Sequence, residues 1–156
     1  MPGAFRTILF AGLVAGFLDI AAASLHYFIS TGKGPTRVFQ FIASAIFGKA
    51  AFSGGLGMAA LGLLFHFIIS IGFAGLLYTI YPYVYNFLRN RFLIGFFYGV
   101  MVWLVMNTVI VPLTRAPQFQ IRWESALIGM GILILLVGIP IALIVHRFYR
   151  SSGVFQ

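Results

Sequence analysis

The sequence contains no cysteine. This absence excludes disulfide bridges, thiolate metal sites and cysteine nucleophiles, although it leaves the compartment open. Charge is almost as scarce, since 8% of the 156 residues are charged and only two are acidic. A soluble domain carries about a quarter charged residues, so a water-soluble fold would lack a polar coat. With 62% hydrophobic residues, the composition predicts an integral membrane protein.

The net charge of +8 raises the possibility of nucleic-acid binding. The basic residues, however, nearly all flank apolar runs instead of forming one patch. Such a placement is typical of side chains that anchor a protein to lipid headgroups. We therefore expect membrane lipids, and not nucleic acid, as partners.

Long apolar runs make up most of the chain. About 20 apolar residues are needed to cross a bilayer core, and four runs reach that length, separated by glycine, proline and polar residues. The sequence thus predicts an all-α polytopic membrane protein that forms a single membrane domain over residues 1–156. The predicted transmembrane helices cover about residues 7–28, 56–81, 92–113 and 125–145.

The segment of about residues 36–52 is too short to cross the membrane. At helical spacing Arg37, Gln40, Ser44 and Gly48 fall on one stripe, and the opposite side is apolar. This pattern favours an amphipathic helix that lies in the membrane interface. A re-entrant segment is the alternative.

Three polar residues are predicted to lie at a similar depth in the membrane. Asp19 lies about 20 Å past Arg6, and Asn107 lies about 22 Å from the same side. His66 lies about 15 Å from the opposite side. An ionised carboxylate that faces lipid costs about 2.5–3.5 kcal/mol even on insertion scales. We therefore expect Asp19, ionised or protonated, to face the interior of the bundle, with His66 or Asn107 as its partner.

Two pairs of small residues are candidates for helix packing. Gly12 and Gly16 lie in the first span, and Gly95 and Gly99 lie in the third. The small-xxx-small spacing allows two membrane helices to approach closely.

The pattern of candidate catalytic and metal-binding residues argues against an enzyme. His26, His66 and His146 lie at three different depths, whereas bis-histidine haem ligation or a metal site needs ligands that converge. We find no serine with an evident base and orienting group, and no phosphate-binding loop. The sequence therefore predicts no cofactor, no metal site and no catalytic residues.

Four segments resemble a family of small four-helix bacterial inner-membrane proteins, the YagU-like family, which is uncharacterised in function. The segments are GLVAGFLDI (12–20), RVFQFIASAIFGKAAFSGG (37–55), ALGLLFHFIIS (60–70) and GFFYGVMVWLVMNTVIVPL (95–113). The fourth helix is similar only in character. The resemblance implies a bacterial cytoplasmic (inner) membrane location and implies no activity.

The orientation is only weakly indicated. Four spans put both termini on one side, and the basic residues divide five against five between the two sides, so the positive-inside rule does not decide. The N-terminal amine and the shorter basic flanks favour cytoplasmic termini.

These features predict a structural or accessory membrane subunit, or a homo-oligomer. In this interpretation the glycine pairs pack helices and the layer of Asp19, His66 and Asn107 fastens the bundle. The alternative is a proton- or cation-linked transporter or channel that uses Asp19 and His66 as a relay.

Overall fold

The computed structural model describes residues 2–117 and 123–153. These residues form helices α1 (Pro2–Thr31), α2 (Thr36–Phe47), α3 (Gly55–Leu88), α4 (Arg91–Leu113) and α5 (Trp123–Ser151), and a 3₁₀ turn at Gly48–Phe52. All but α2 are long and apolar enough to cross a membrane. The prediction of an all-α polytopic membrane protein is confirmed, because four helices can cross a membrane and the described part of the chain has no strand.

Two of the spans contain a π-helical segment that ends two residues before a proline. In α4 it covers Met106–Ile110, before Pro112, and in α5 it covers Ile134–Gly138, before Pro140. Proline lacks an amide hydrogen and its ring crowds the carbonyl one turn back. Local π-helical turns redistribute the hydrogen bonds that proline interrupts, which lets a membrane helix continue.

A tight turn joins α3 to α4. Arg89 closes α3 in the left-handed conformation, at φ 47°, and its amide donates to the Tyr85 carbonyl at 2.8 Å. Asn90 then begins α4, because its Oδ1 accepts hydrogen bonds from the amides of Phe92 at 2.9 Å and Leu93 at 3.3 Å. The side chain thus satisfies amides that a helix start otherwise leaves unpaired.

The four spans pack as two glycine-mediated pairs. A Cβ atom placed on Gly12 would lie 2.6 Å from the Ile71 Cα, so α1 approaches the backbone of α3. A Cβ atom placed on Gly99 would lie 2.5 Å from the Ile134 Cα, so α4 approaches α5 in the same way. Gly16 and Gly95 continue these two contacts one turn along each helix.

The buried core lies toward the end of the bundle that holds Pro2 and Ser151, which we call the terminal end. It is formed by side chains from all four spans, among them Ala11, Leu77, Tyr81, Ile94, Tyr98, Val102, Val137, Ile141 and Val145. Two tyrosine hydroxyls tie helices together here. Tyr98 donates to the Phe73 carbonyl at 2.6 Å, and Tyr149 donates to the Tyr78 carbonyl at 3.0 Å.

Packing is thinner at the opposite, distal end, which comprises residues 21–31, 55–69, 103–113 and 123–136. Within these ranges only Ala59 and Gly62 are buried. The four spans therefore contribute few buried residues at the distal end, and other buried residues there belong to α2 and the 3₁₀ turn.

Helix α2 packs against the distal end of α3 with the middle of its polar stripe turned inward, whereas Arg37 of that stripe is exposed. Gln40 and Ser44 are buried, and the Gln40 side chain donates to the Gly55 carbonyl at 3.1 Å. Ile46, on the apolar side, is 52% exposed. A free interfacial helix would turn its polar side to water, so contact with α3 determines which side of α2 is covered.

The helices extend beyond the predicted spans. The largest extension at a single end is in α3, which continues through Pro82 to Leu88, whereas the sequence places the end of the span near Tyr81. Four tyrosines lie close to Pro82 in the sequence, and all four belong to α3, which continues past this proline. The position of α2 in the interface or as a re-entrant segment stays a prediction.

Replacing Gly12 by alanine should destabilise the protein, because the new methyl group would lie too close to the Ile71 backbone. Overpacking of this kind costs about 1–3 kcal/mol. Thermal unfolding in detergent micelles measures the loss. Gly72→Ala is the matched control, since a Cβ atom there meets nothing within 4 Å. Equal unfolding temperatures for the two variants would contradict the close crossing of α1 and α3.

Candidate functional site

The candidate site is the contact between Asp19 on α1 and His66 on α3. The His66 Nε2 atom lies 3.8 Å from the Asp19 Oδ2 atom. The side chains are 21% exposed for Asp19 and 13% exposed for His66. The structure thus brings together two of the three polar residues that the sequence placed at one depth.

A backbone carbonyl fixes the orientation of the imidazole. His66 Nε2 lies 2.8 Å from the Gly16 carbonyl oxygen, and because a carbonyl only accepts, Nε2 carries a hydrogen atom and donates it. The distance to Asp19 is too long for a hydrogen bond. When Asp19 is ionised, it therefore acts on His66 through charge and not through a hydrogen bond.

A second hydrogen bond repeats this arrangement one turn along both helices. The Ser70 hydroxyl donates to the Gly12 carbonyl at 2.8 Å. Without side chains, the two glycines leave their carbonyl oxygens accessible to donors from α3. The glycine pair therefore both packs the helices and supplies the acceptors that hold His66 and Ser70.

Asn107 is held by its own helix. Its Nδ2 atom donates to the Trp103 carbonyl at 2.9 Å, one turn earlier in α4. Between the described residues, this is the hydrogen bond that the Asn107 side chain makes. The structure thus gives no hydrogen bond from Asn107 to Asp19 or His66.

The remaining histidines lie away from this pair. His146 is buried at the terminal end, where its ring packs against Tyr85 at 5.1 Å and Tyr81 at 6.1 Å between centroids. His26 is near the end of α1 and is partly exposed. Among the described residues, no group of three histidine or acidic side chains is placed to hold a metal ion.

Sequence reasoning missed Ser70 and the carbonyl oxygens of Gly12 and Gly16. A signal was present, because His66 and Ser70 are four residues apart and so lie on the same side of α3, as Gly12 and Gly16 do on α1. The register between the two helices, which decides whether these sides meet, is not visible in either helix alone.

The geometry permits two uses of the pair. It can fasten α1 to α3 by a hydrogen bond and a charge contact, or it can accept and release a proton, because both groups are titratable and partly exposed. Comparisons with protein-family models, curated proteins and solved structures gave no match, so the chemistry of the site rests on this geometry.

A double-mutant cycle should detect the interaction of Asp19 with His66. We expect Asp19→Asn and His66→Gln to be non-additive by about 0.6 kcal/mol, a typical value for polar contacts between membrane helices. Chemical unfolding in micelles measures each variant. The control cycle pairs Asp19→Asn with Thr79→Ala, because Thr79 donates to Gly75 within its own helix. Additive effects in both cycles would exclude an energetic coupling at 3.8 Å.

Proposed function

We propose that this protein is a non-enzymatic structural or accessory subunit of a membrane assembly, formed with copies of itself or with other chains. The observation that supports this proposal is the thin packing of the distal end, where residues 21–31, 103–113 and 123–136 contain no buried residue. Membrane helices that associate through van der Waals packing gain most where their side chains are covered by protein. A second chain at the distal end would supply that cover.

The glycine pairs do not provide the surface for a partner. Gly12 and Gly16 are in contact with α3, and Gly95 and Gly99 are in contact with α5. Both close-packing faces are thus occupied within the chain. An assembly must therefore use a different surface. The distal end offers one, because few side chains of the four spans are buried there.

The partial exposure of Asp19 and His66 also favours a partner chain near the distal end. His66 lies in this part of the bundle and Asp19 lies beside it, and both side chains keep some exposed surface. Exposure of an ionised group to lipid is costly. A partner helix with a hydroxyl or amide group would shelter the pair and add a hydrogen bond to Asp19.

We place the protein in the bacterial cytoplasmic membrane with both termini in the cytoplasm. The resemblance of residues 12–113 to the YagU-like family supports the membrane. The basic residues divide equally between the two sides, so the orientation is supported by the N-terminal amine and by the shorter basic flanks on the side of the termini.

Cysteine cross-linking tests the proposed contact, since the chain has no cysteine of its own. Leu25→Cys places a thiol on an exposed position of the distal end, and Leu76→Cys places one on an exposed position of α3 nearer the terminal end. We expect oxidation in native membranes to cross-link the Leu25→Cys variant at least tenfold more than the Leu76→Cys variant.

The mass of the cross-linked product separates the two forms of the proposal. A product of twice the chain mass indicates a homo-oligomer, and a larger or smaller partner indicates a heteromeric complex. Equal cross-linking of the two variants, together with a monomer mass in nanodiscs, would contradict the proposal.

A second candidate function is a proton- or cation-linked transporter. It is favoured by the proximity of two titratable groups, Asp19 and His66, at membrane depth with part of each side chain exposed. In such a protein the carboxylate and the imidazole would exchange a proton as access alternates between the two sides.

Liposome flux measurements distinguish the two functions. For a subunit, we expect wild-type and Asp19→Asn proteoliposomes to show the same proton flux as empty vesicles. For a transporter, Asp19→Asn abolishes a flux that the wild type supports. Glu124→Gln is the matched control, because Glu124 is the other acidic residue and lies in the first turn of α5. A flux lost in both variants would exclude a specific relay through Asp19.

A further inference from the structure

A groove lies between α1 and α5 at the terminal end of the bundle. The two helices are close here, since a Cβ atom on Gly3 would lie 3.0 Å from the Phe148 ring. The groove has a volume of about 440 Å³. It is lined by Arg6, Thr7, Phe10, Ile144, Arg147, Phe148 and Ser151.

The two arginines of this groove have no acidic side chain to neutralise them. The chain has two acidic residues, Asp19 and Glu124. Along the helices, Asp19 is about 20 Å from Arg6 and Glu124 is about 34 Å from Arg147. Between described residues, the structure gives neither arginine an ion pair. Among the described residues, the groove therefore carries two positive charges without an acidic partner, and an anion from outside the chain can balance them.

The hydroxyl groups of the groove are already used within their helices. Thr7 donates to the Gly3 carbonyl at 2.8 Å, and Ser151 donates to the Phe148 carbonyl at 2.8 Å. Their oxygens remain acceptors only. The hydrogen-bond donors that the groove offers are thus the guanidinium groups of Arg6 and Arg147, which favour an acceptor-only anion such as a phosphate.

The groove changes from charged to apolar with depth. Phe10 lies one turn deeper than Arg6 on α1, and Ile144 lies one turn deeper than Arg147 on α5. Phe10 is 60% exposed. A phospholipid has the same order of groups, with a charged headgroup at the membrane surface and apolar acyl chains below it. A free phosphate or a nucleotide would make no contact with the apolar part of the groove.

We infer that this groove binds the phosphate of one anionic phospholipid, held between Arg6 and Arg147, with an acyl chain against Phe10 and Ile144. Basic pockets between transmembrane helices recognise anionic headgroups by this combination of charge and apolar surface. A zwitterionic lipid offers the same phosphate but adds its own cation, which the two arginines repel. The site therefore selects lipids with net negative charge.

Native mass spectrometry of the full chain in detergent tests the site. Wild-type protein is titrated with phosphatidylglycerol and, separately, with phosphatidylcholine. We expect Arg6→Gln combined with Arg147→Gln to weaken phosphatidylglycerol binding at least fivefold and to leave phosphatidylcholine binding unchanged. Arg89→Gln combined with Arg150→Gln is the matched control, since both lie on the same side of the membrane but outside the groove.

Further measurements distinguish binding at this groove from attraction of the lipid by the overall positive charge of the protein. An equal loss of phosphatidylglycerol binding in the control variant would overturn the inference, as would displacement of the lipid by millimolar inorganic phosphate or glycerol phosphate. If the double glutamine variant does not fold, Arg6→Lys combined with Arg147→Lys keeps the charge but removes the bidentate geometry. We then expect a smaller but measurable loss of about twofold, and unchanged binding would again overturn the inference.

Discussion

The close approach of α1 to α3 is the contact on which the rest of the structure depends. It requires the missing side chain of Gly12, because a Cβ atom there would collide with the Ile71 backbone, and a Cβ atom on Gly16 would make tight contacts with the side chains of Phe67 and Ser70. The approach brings two carbonyl oxygens of α1 within reach of His66 and Ser70, and the hydrogen bond to His66 places its imidazole beside Asp19. The geometry of the Asp19–His66 pair therefore follows from the close packing of the two helix backbones.

A similar logic applies to α4 and α5, where proline and glycine act together. The π-helical segment Ile134–Gly138 faces Gly95 and Gly99 across the contact, so the turn that compensates for Pro140 is also the turn that packs most closely. The aromatic and aliphatic core then fills the space between the two helix pairs at the terminal end. Since the distal end lacks such a core, the bundle is firmly joined at one end and thinly packed at the other.

Much of the architecture could be predicted from sequence, because lipid imposes simple rules on composition and length. The four spans follow from apolar runs, and the proximity of Asp19 to His66 follows from counting residues along each helix. Asn107 shows where counting fails, since equal depth does not decide which side of a helix a residue occupies. The burial of Gln40 and Ser44 on α2 was also beyond prediction, because it depends on contact with α3, where the Gln40 side chain donates to the Gly55 carbonyl.

The lengths of α3 and α4 have a consequence for α2. The two helices start from a tight turn, yet α3 has 34 residues and α4 has 23, so α3 is longer by about 16 Å. Because the two helices share that turn, the surplus turns of α3 lie at the distal end. Helix α2 lies along these turns, next to Gly62 and Gly55, and the Gln40 side chain donates to the Gly55 carbonyl there. Helix α2 therefore packs against the part of α3 that has no counterpart in α4, so shortening α3 at its distal end would remove the surface that α2 covers.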